Sequence, residues 1–192
     1  MKQVFVDVDT QVDFLYPTGA LAVPGATEIL PHLAALTQFA AKNGIPLLSS
    51  ADAHLENDEE FAQCAAHCVA GTLGAAKVPE TLLAKHTRIG VDEAFSGEVN
   101  GQVILEKRSV DMFTQPSIAK LLASLAPERF VVYGVVTEIC VMHAVNGLLR
   151  LGKPVALVSD AVFALEESRA RGLLHQWQFD GCAIVKTAEI IS

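Results

Sequence analysis

FVVYGVVTEICV, residues 130–141, decides the fold. Its first seven positions are aliphatic, aromatic or glycine, the pattern of a strand covered on both faces, and the next five begin a helix. Outward from this segment the same alternation recurs. Upstream, QVFVDV (3–8) precedes a helical pattern over 27–42, stopped by Asn43 and Gly44, and then IPLLSS (45–50). QVILEK (102–107) and a helix over 117–126 lead into the quoted strand. A helix over 138–151, PVALVSD (154–160), a helix over 166–178 and CAIVKT (182–187) follow it. These runs predict an α/β fold: a doubly wound, Rossmann-like and mostly parallel sheet of about six strands with helices on both faces, forming one domain over 1–192. The least regular stretch, 52–100, is expected to hold loops and a short helix, and is where a lid could lie.

With 192 residues, 51% of them hydrophobic, the chain has ample material for a core. Its net charge of −8 and lack of a basic run exclude a nucleic-acid or anionic-membrane surface, since both are bound by clustered Lys and Arg. Small molecules or proteins are the expected partners. MKQVFVDVDT at the N-terminus lacks a signal-peptide pattern, and no apolar run approaches the roughly 20 residues that span a bilayer. A cytoplasmic location is expected, where Cys64, Cys68, Cys140 and Cys182 are thiols.

In a doubly wound sheet, ligands bind beyond the C-terminal strand ends. Those ends carry Asp7 and Asp9, residues 50–54, Lys107, residues 136–140 and Asp160. Cys140 falls in the first turn of its helix, with Thr137 as the expected cap, and the unpaired N–H groups there favour a thiolate. Amide hydrolysis by a cysteine needs that thiolate, a base to carry its proton to the leaving amine, and a cation that favours the anion. Cys140, Asp9 and Lys107 can fill these roles. Singly, each has a plainer explanation: a buried small hydrophobe, a turn cap, a solvated lysine.

The chain resembles the isochorismatase-like cysteine hydrolases, in particular their nicotinamidase-like branch, through DTQVDF (9–14), SSADAH (49–54), HCVAGTLGA (67–75), EKRSVDMF (106–113) and GVVTEICV (134–141). The resemblance implies a catalytic triad of Asp9, Lys107 and Cys140. It also implies a cis peptide between Val135 and Val136, and an oxyanion hole made by the amides of Val136 and Cys140. The implied activity is hydrolysis of a small carboxamide through a cysteine thioester, with nicotinamide converted to nicotinate and ammonia as the leading case. The alternatives are a metal-independent member acting on a carbamoyl, ureido or other small amide, and a noncatalytic binding protein on the same fold. Selective labelling of Cys140 by iodoacetamide at neutral pH is expected of an activated thiolate. True isochorismatases cleave a vinyl ether without a nucleophilic cysteine, so Cys140 counts against that reaction. Self-association into a homo-oligomer is a further implication.

Asp52, His54 and His67 offer a carboxylate and two imidazoles, a donor set for zinc, manganese or iron. Nicotinamidases hold a metal at the matching positions with one more His. LENDEEF (55–61) contains none, which leaves Asp58 or Glu60 as a fourth ligand and metal-free chemistry open. Phe14 matches one ring-contacting aromatic of the substrate slot. Cys64 stands where nicotinamidases carry a tryptophan, so a smaller or non-aromatic substrate fits too. The Cys64, His67 and Cys68 cluster lacks a second ligand pair for a structural zinc. Cys182 is a core residue, Asp7 is either a second carboxylate beside Asp9 or a loop anchor, and GTLGA (71–75) is a tight turn.

Overall fold

The computed structural model describes every residue except Met1, Glu98 and Asn100; the last two belong to the irregular stretch 52–100 and lie outside the described residues. Seven parallel strands form one sheet: β1 (Gln3–Val8), β2 (Leu47–Asp52), β3 (His86–Ile89), β4 (Gln102–Lys107), β5 (Arg129–Val135), β6 (Val155–Phe163) and β7 (Ala183–Val185), in the order β3-β4-β2-β1-β5-β6-β7. Helices α1 (Val12–Leu15), α2 (Leu30–Lys42), α3 (Ile118–Leu125), α4 (Met142–Arg150), α5 (Glu167–Phe179) and α6 (Thr187–Ile191) complete the chain with short 3₁₀ turns. One face of the sheet packs Phe5, Leu47, Val131 and Tyr133 against Leu33 and Leu36 of α2. The other packs Val4, Val6, Val103 and Val132 against Leu121 of α3, Leu148 of α4 and Trp177 of α5. Parallel strands need both faces covered, and the alternating side chains of each strand supply one set to each layer.

Six of the seven strands follow the apolar runs. The exception is β3, an edge strand whose HTRI is exposed at three of four positions and so lacks any apolar period. The helix expected over 27–42 is broken into a 3₁₀ turn (Ala26–Ile29) and α2, with Pro31 in the first turn of α2, where a missing N–H costs nothing. CAIVKT divides likewise: β7 ends at Val185, and Thr187, bonded through its N–H and hydroxyl to Asp160, starts α6.

β1 and β5 are neighbours, yet the connection after β1 runs over the α2 face and that after β5 over the α4 face. Their C-terminal ends therefore border the crevice where such sheets take ligands. Gly134 sits there with φ +123°, and a Cβ on it would lie 2.1 Å from the carbonyl oxygen of Val8. Only glycine lets the two strand ends approach this closely.

Candidate active site

The strand ends bring Asp9, Lys107 and Cys140 together. Asp9 follows β1 with φ +49°, a left-handed turn. Its Oδ1 accepts from Ser50 Oγ at 2.6 Å, and its buried Oδ2 lies 2.8 Å from Lys107 Nζ. Lys107, at the end of β4, reaches Asp52 Oδ1 at 2.5 Å as well. The thiol of Cys140 and the carboxylates of Asp9 and Asp52 have ligand atoms within 4.8 Å of one another. Burial alone would lower the Lys107 pKa, but Asp52 and Asp9 outweigh it and hold the ammonium charged. Burial raises Asp52, aided by Asp9 and opposed by Lys107.

Cys140 differs from the sequence expectation. Burial, the charges of Asp9 and Asp52 and a hydrogen bond to Asp9 hold its pKa well above the ordinary range, against the pull of Lys107. It rests as a thiol. Thr137 differs too: it gives the helix no side-chain cap, because its hydroxyl donates to the Phe163 carbonyl at 2.9 Å. The turn it opens, Thr137–Val141, is a π-helix running into α4, and the peptide between Val135 and Val136 is cis.

Above Cys140 opens a cavity of about 170 Å³ lined by Phe14, Leu21, Val23, Val110, Ile139, Leu165 and other apolar side chains, with Asp52, Glu60 and His67 as its polar wall. Its size is close to the roughly 150 Å³ of an engineered cavity that takes up benzene. Phe14 lies 5.4 Å, ring to ring, from His67. Cys64 stands behind the wall rather than on it, its sulfur 3.8 Å from His67 Nδ1 and 3.5 Å from the Glu60 carbonyl. An aromatic that sequence reasoning missed, Phe61, packs against His54 at 5.4 Å and His67 at 5.6 Å. Nothing in LENDEEF distinguishes it from a surface phenylalanine.

Donor atoms of Asp52, His54 and His67 lie within 4.8 Å of one another. His54 Nδ1 bonds Asp58 Oδ2 at 2.9 Å, and His67 Nδ1 bonds the Ala65 carbonyl at 2.9 Å, so each ring carries its proton on Nδ1 and keeps Nε2 as a lone-pair donor. The hydrogen bond from His54, then that from the Glu60 amide, lowers the Asp58 pKa. The site therefore fits a divalent metal. Asp58 bonds His54 and Glu60 lines the cavity, and both carboxylates have oxygen atoms within 4.8 Å of a His54 nitrogen.

Two buried polar residues of DTQVDF hold this geometry. The Gln11 amide accepts from Asp52 N at 2.7 Å and donates to Asp52 O at 2.8 Å, fastening the end of β2. Asp13 accepts from Ala20 N at 2.8 Å and Cys68 N at 2.7 Å, joining the Phe14 wall to the His67 loop. A Cβ on Gly74 would fall 2.1 Å from Asp13 Oδ2, so that loop needs glycine.

A family model described as the isochorismatase domain matches residues 3–189. The chain belongs to the isochorismatase-like hydrolase family. Among curated proteins, none matches it. Solved structures with the same fold include the pyrazinamidase of Pyrococcus horikoshii in complex with zinc, at 26% identity over 97% of this chain and 99% of that one, with a TM-score of 0.80. The N-carbamoylsarcosine amidase of Thermoplasma acidophilum is 21% identical over 97% of each chain, with a TM-score of 0.78. A nicotinamidase of Bacillus subtilis is 19% identical over 97% of this chain and 100% of that one, with a TM-score of 0.79.

Proposed function

We propose that this hydrolase is a cysteine amidohydrolase cleaving a small, uncharged carboxamide through a thioester on Cys140, with nicotinamide as the leading substrate and nicotinate and ammonia as products. The observation that carries the reading is the meeting of the Asp9 carboxylate and the buried Lys107 ammonium with the Cys140 thiol, which lines a small, mainly apolar cavity. As the amide carbonyl approaches, Asp9 takes the Cys140 proton and the sulfur adds to the carbon. Charge growing on the carbonyl oxygen faces the amides of Val136 and Cys140. Asp9 passes the proton to the amine, the C–N bond breaks and ammonia leaves. Asp9 then takes a proton from water as it adds to the thioester, and the returning thiol releases the acid. Lys107 holds its positive charge beside Asp9 and Cys140 through both half-reactions.

Asp52, His54 and His67, with Glu60 as the further oxygen donor, would hold zinc, or manganese or iron on the same donor set. The zinc carried by the Pyrococcus pyrazinamidase supports this assignment. A bound ion would supply a Lewis-acid contact for a lone pair on the substrate's acyl part. His54→Ala should lower the metal content of the purified protein and remove any stabilisation by added zinc, measured by elemental analysis and thermal melting. Undiminished metal content would reassign the site.

The cavity lining carries Asp52 and Glu60 and, among the described residues, no Arg or Lys. In the metal-free protein an acyl group bearing a carboxylate would find no counter-charge on this lining, which disfavours carbamoyl amino acids as substrates there. Ammonia release from a panel containing nicotinamide, pyrazinamide and an anionic ureido acid tests this: activity on the neutral amides alone is expected, and preference for the ureido acid would overturn it. The reading includes a cytosolic enzyme acting on a small molecule. Self-association, which the family resemblance implies, is checked by light scattering.

A further inference from the structure

We infer that Leu165 is a specificity-determining residue which, held by Glu138, sets the upper size of the amide the cavity admits; this rests on the amidohydrolase reading above. Leu165 belongs to the segment between β6 and α5. The residue is 55% exposed, yet it lines the cavity together with Cys140. The same side chain lines a second groove on its outer side, formed with Pro24, Thr137, Val162 and Phe163. Leu165 is thus the partition between the two spaces.

What holds the partition comes from the turn that carries the nucleophile. Thr137 ties down the Phe163 carbonyl, and Glu138 Oε1 accepts from both Leu165 N at 2.8 Å and Glu166 N at 2.7 Å. Glu138 is 2% exposed, and its buried Oε2 has no hydrogen-bond partner among the described residues. A buried carboxylate satisfied on one oxygen only is costly, so its two bonds to the strap are its evident return. Glu138 and Cys140 share one turn, which fixes the wall at a set distance from the reacting sulfur. Removing the Leu165 side chain would join cavity and groove and admit longer molecules.

The test compares alkylation of Cys140 by iodoacetamide and by N-octyl iodoacetamide under mildly alkaline conditions, followed by peptide mass mapping. The proteins are the parent, Leu165→Ala, Glu138→Ala and Glu138→Gln. The parent should strongly favour the small reagent. Leu165→Ala should raise the relative rate of the long reagent by about 10-fold or more, as expected when a pocket wall recedes. Glu138→Ala should do the same, and Glu138→Gln, which keeps a carbonyl acceptor, should stay near the parent ratio. A parent-like ratio in Leu165→Ala, or failure of either reagent to label its Cys140, would overturn the inference. Should Glu138→Ala fail to fold, the half-exposed Leu165 site still decides it. Ammonia release from nicotinamide, acetamide and hexanamide gives a separate reading: a shifted alkylation ratio with no amide hydrolysed would sustain the wall and overturn the amidohydrolase.

Discussion

At Cys140 two influences compete: the helix start and Lys107 favour the thiolate, while burial, Asp9 and Asp52 favour the thiol and prevail. The meeting of the three residues was legible in the sequence, because a cysteine after a buried strand, with Asp9 and Lys107 at other strand ends, is an arrangement topology can assemble. Its protonation was not legible, because the convergence of Asp52 on the same sulfur depends on where β2 ends. Alkylation by iodoacetamide should therefore be slow at neutral pH and keep rising beyond the ordinary cysteine pKa of about 8.5. A rate that levels off near neutrality would contradict this. Asp9→Asn removes the base and should cut turnover by about 10²- to 10⁴-fold, read as kcat with the fold intact by circular dichroism.

At the scale of elements, β1 presents two carboxylates that serve different partners. Asp7 is bound by Lys77 Nζ at 2.7 Å, by Thr10 Oγ1 at 2.8 Å and by Ser49 Oγ at 2.9 Å, all fully buried, so it anchors the loop carrying Lys77. Asp9, one step beyond the strand end, turns instead to Lys107. Lys77→Met would leave a buried carboxylate without its counter-charge and should cost about 3–5 kcal/mol in urea denaturation. A loss below 1 kcal/mol, on the order of a surface ion pair, would show that the pair adds little. Lys77 carried no signal in the sequence, since nothing local marks a buried lysine. The strands were readable because their aliphatic runs report burial directly. The π-helical turn at Thr137–Val141 and edge strand β3 were not, since the one depends on how Thr137 bonds Phe163 and the other on pairing with β4.

For the molecule as a whole, the two packed layers bury groups that ionise readily in an unfolded chain. Burial raises Cys182 to about 11 and pushes Cys68 and Tyr133 up as well. Each folded-state pKa lies above its unfolded value, so the folded chain keeps protons that the unfolded chain gives up. Stability is full below about pH 8.5 and is lost as pH rises from there, by at most about 1.4 kcal/mol per unit for each group. Urea midpoints should fall between pH 7 and 10, and less steeply in Cys182→Ala; a pH-independent midpoint would contradict the burial argument. The layers also leave Cys140 lining the cavity, and an intact-mass measurement can follow its chemistry directly. Protein quenched in acid during turnover of nicotinamide should gain the mass of one nicotinoyl group, mapped to Cys140 and absent in Cys140→Ala, which releases no ammonia. Continuing ammonia release with Cys140 unmodified, or at the parent rate in Cys140→Ala, would contradict the account.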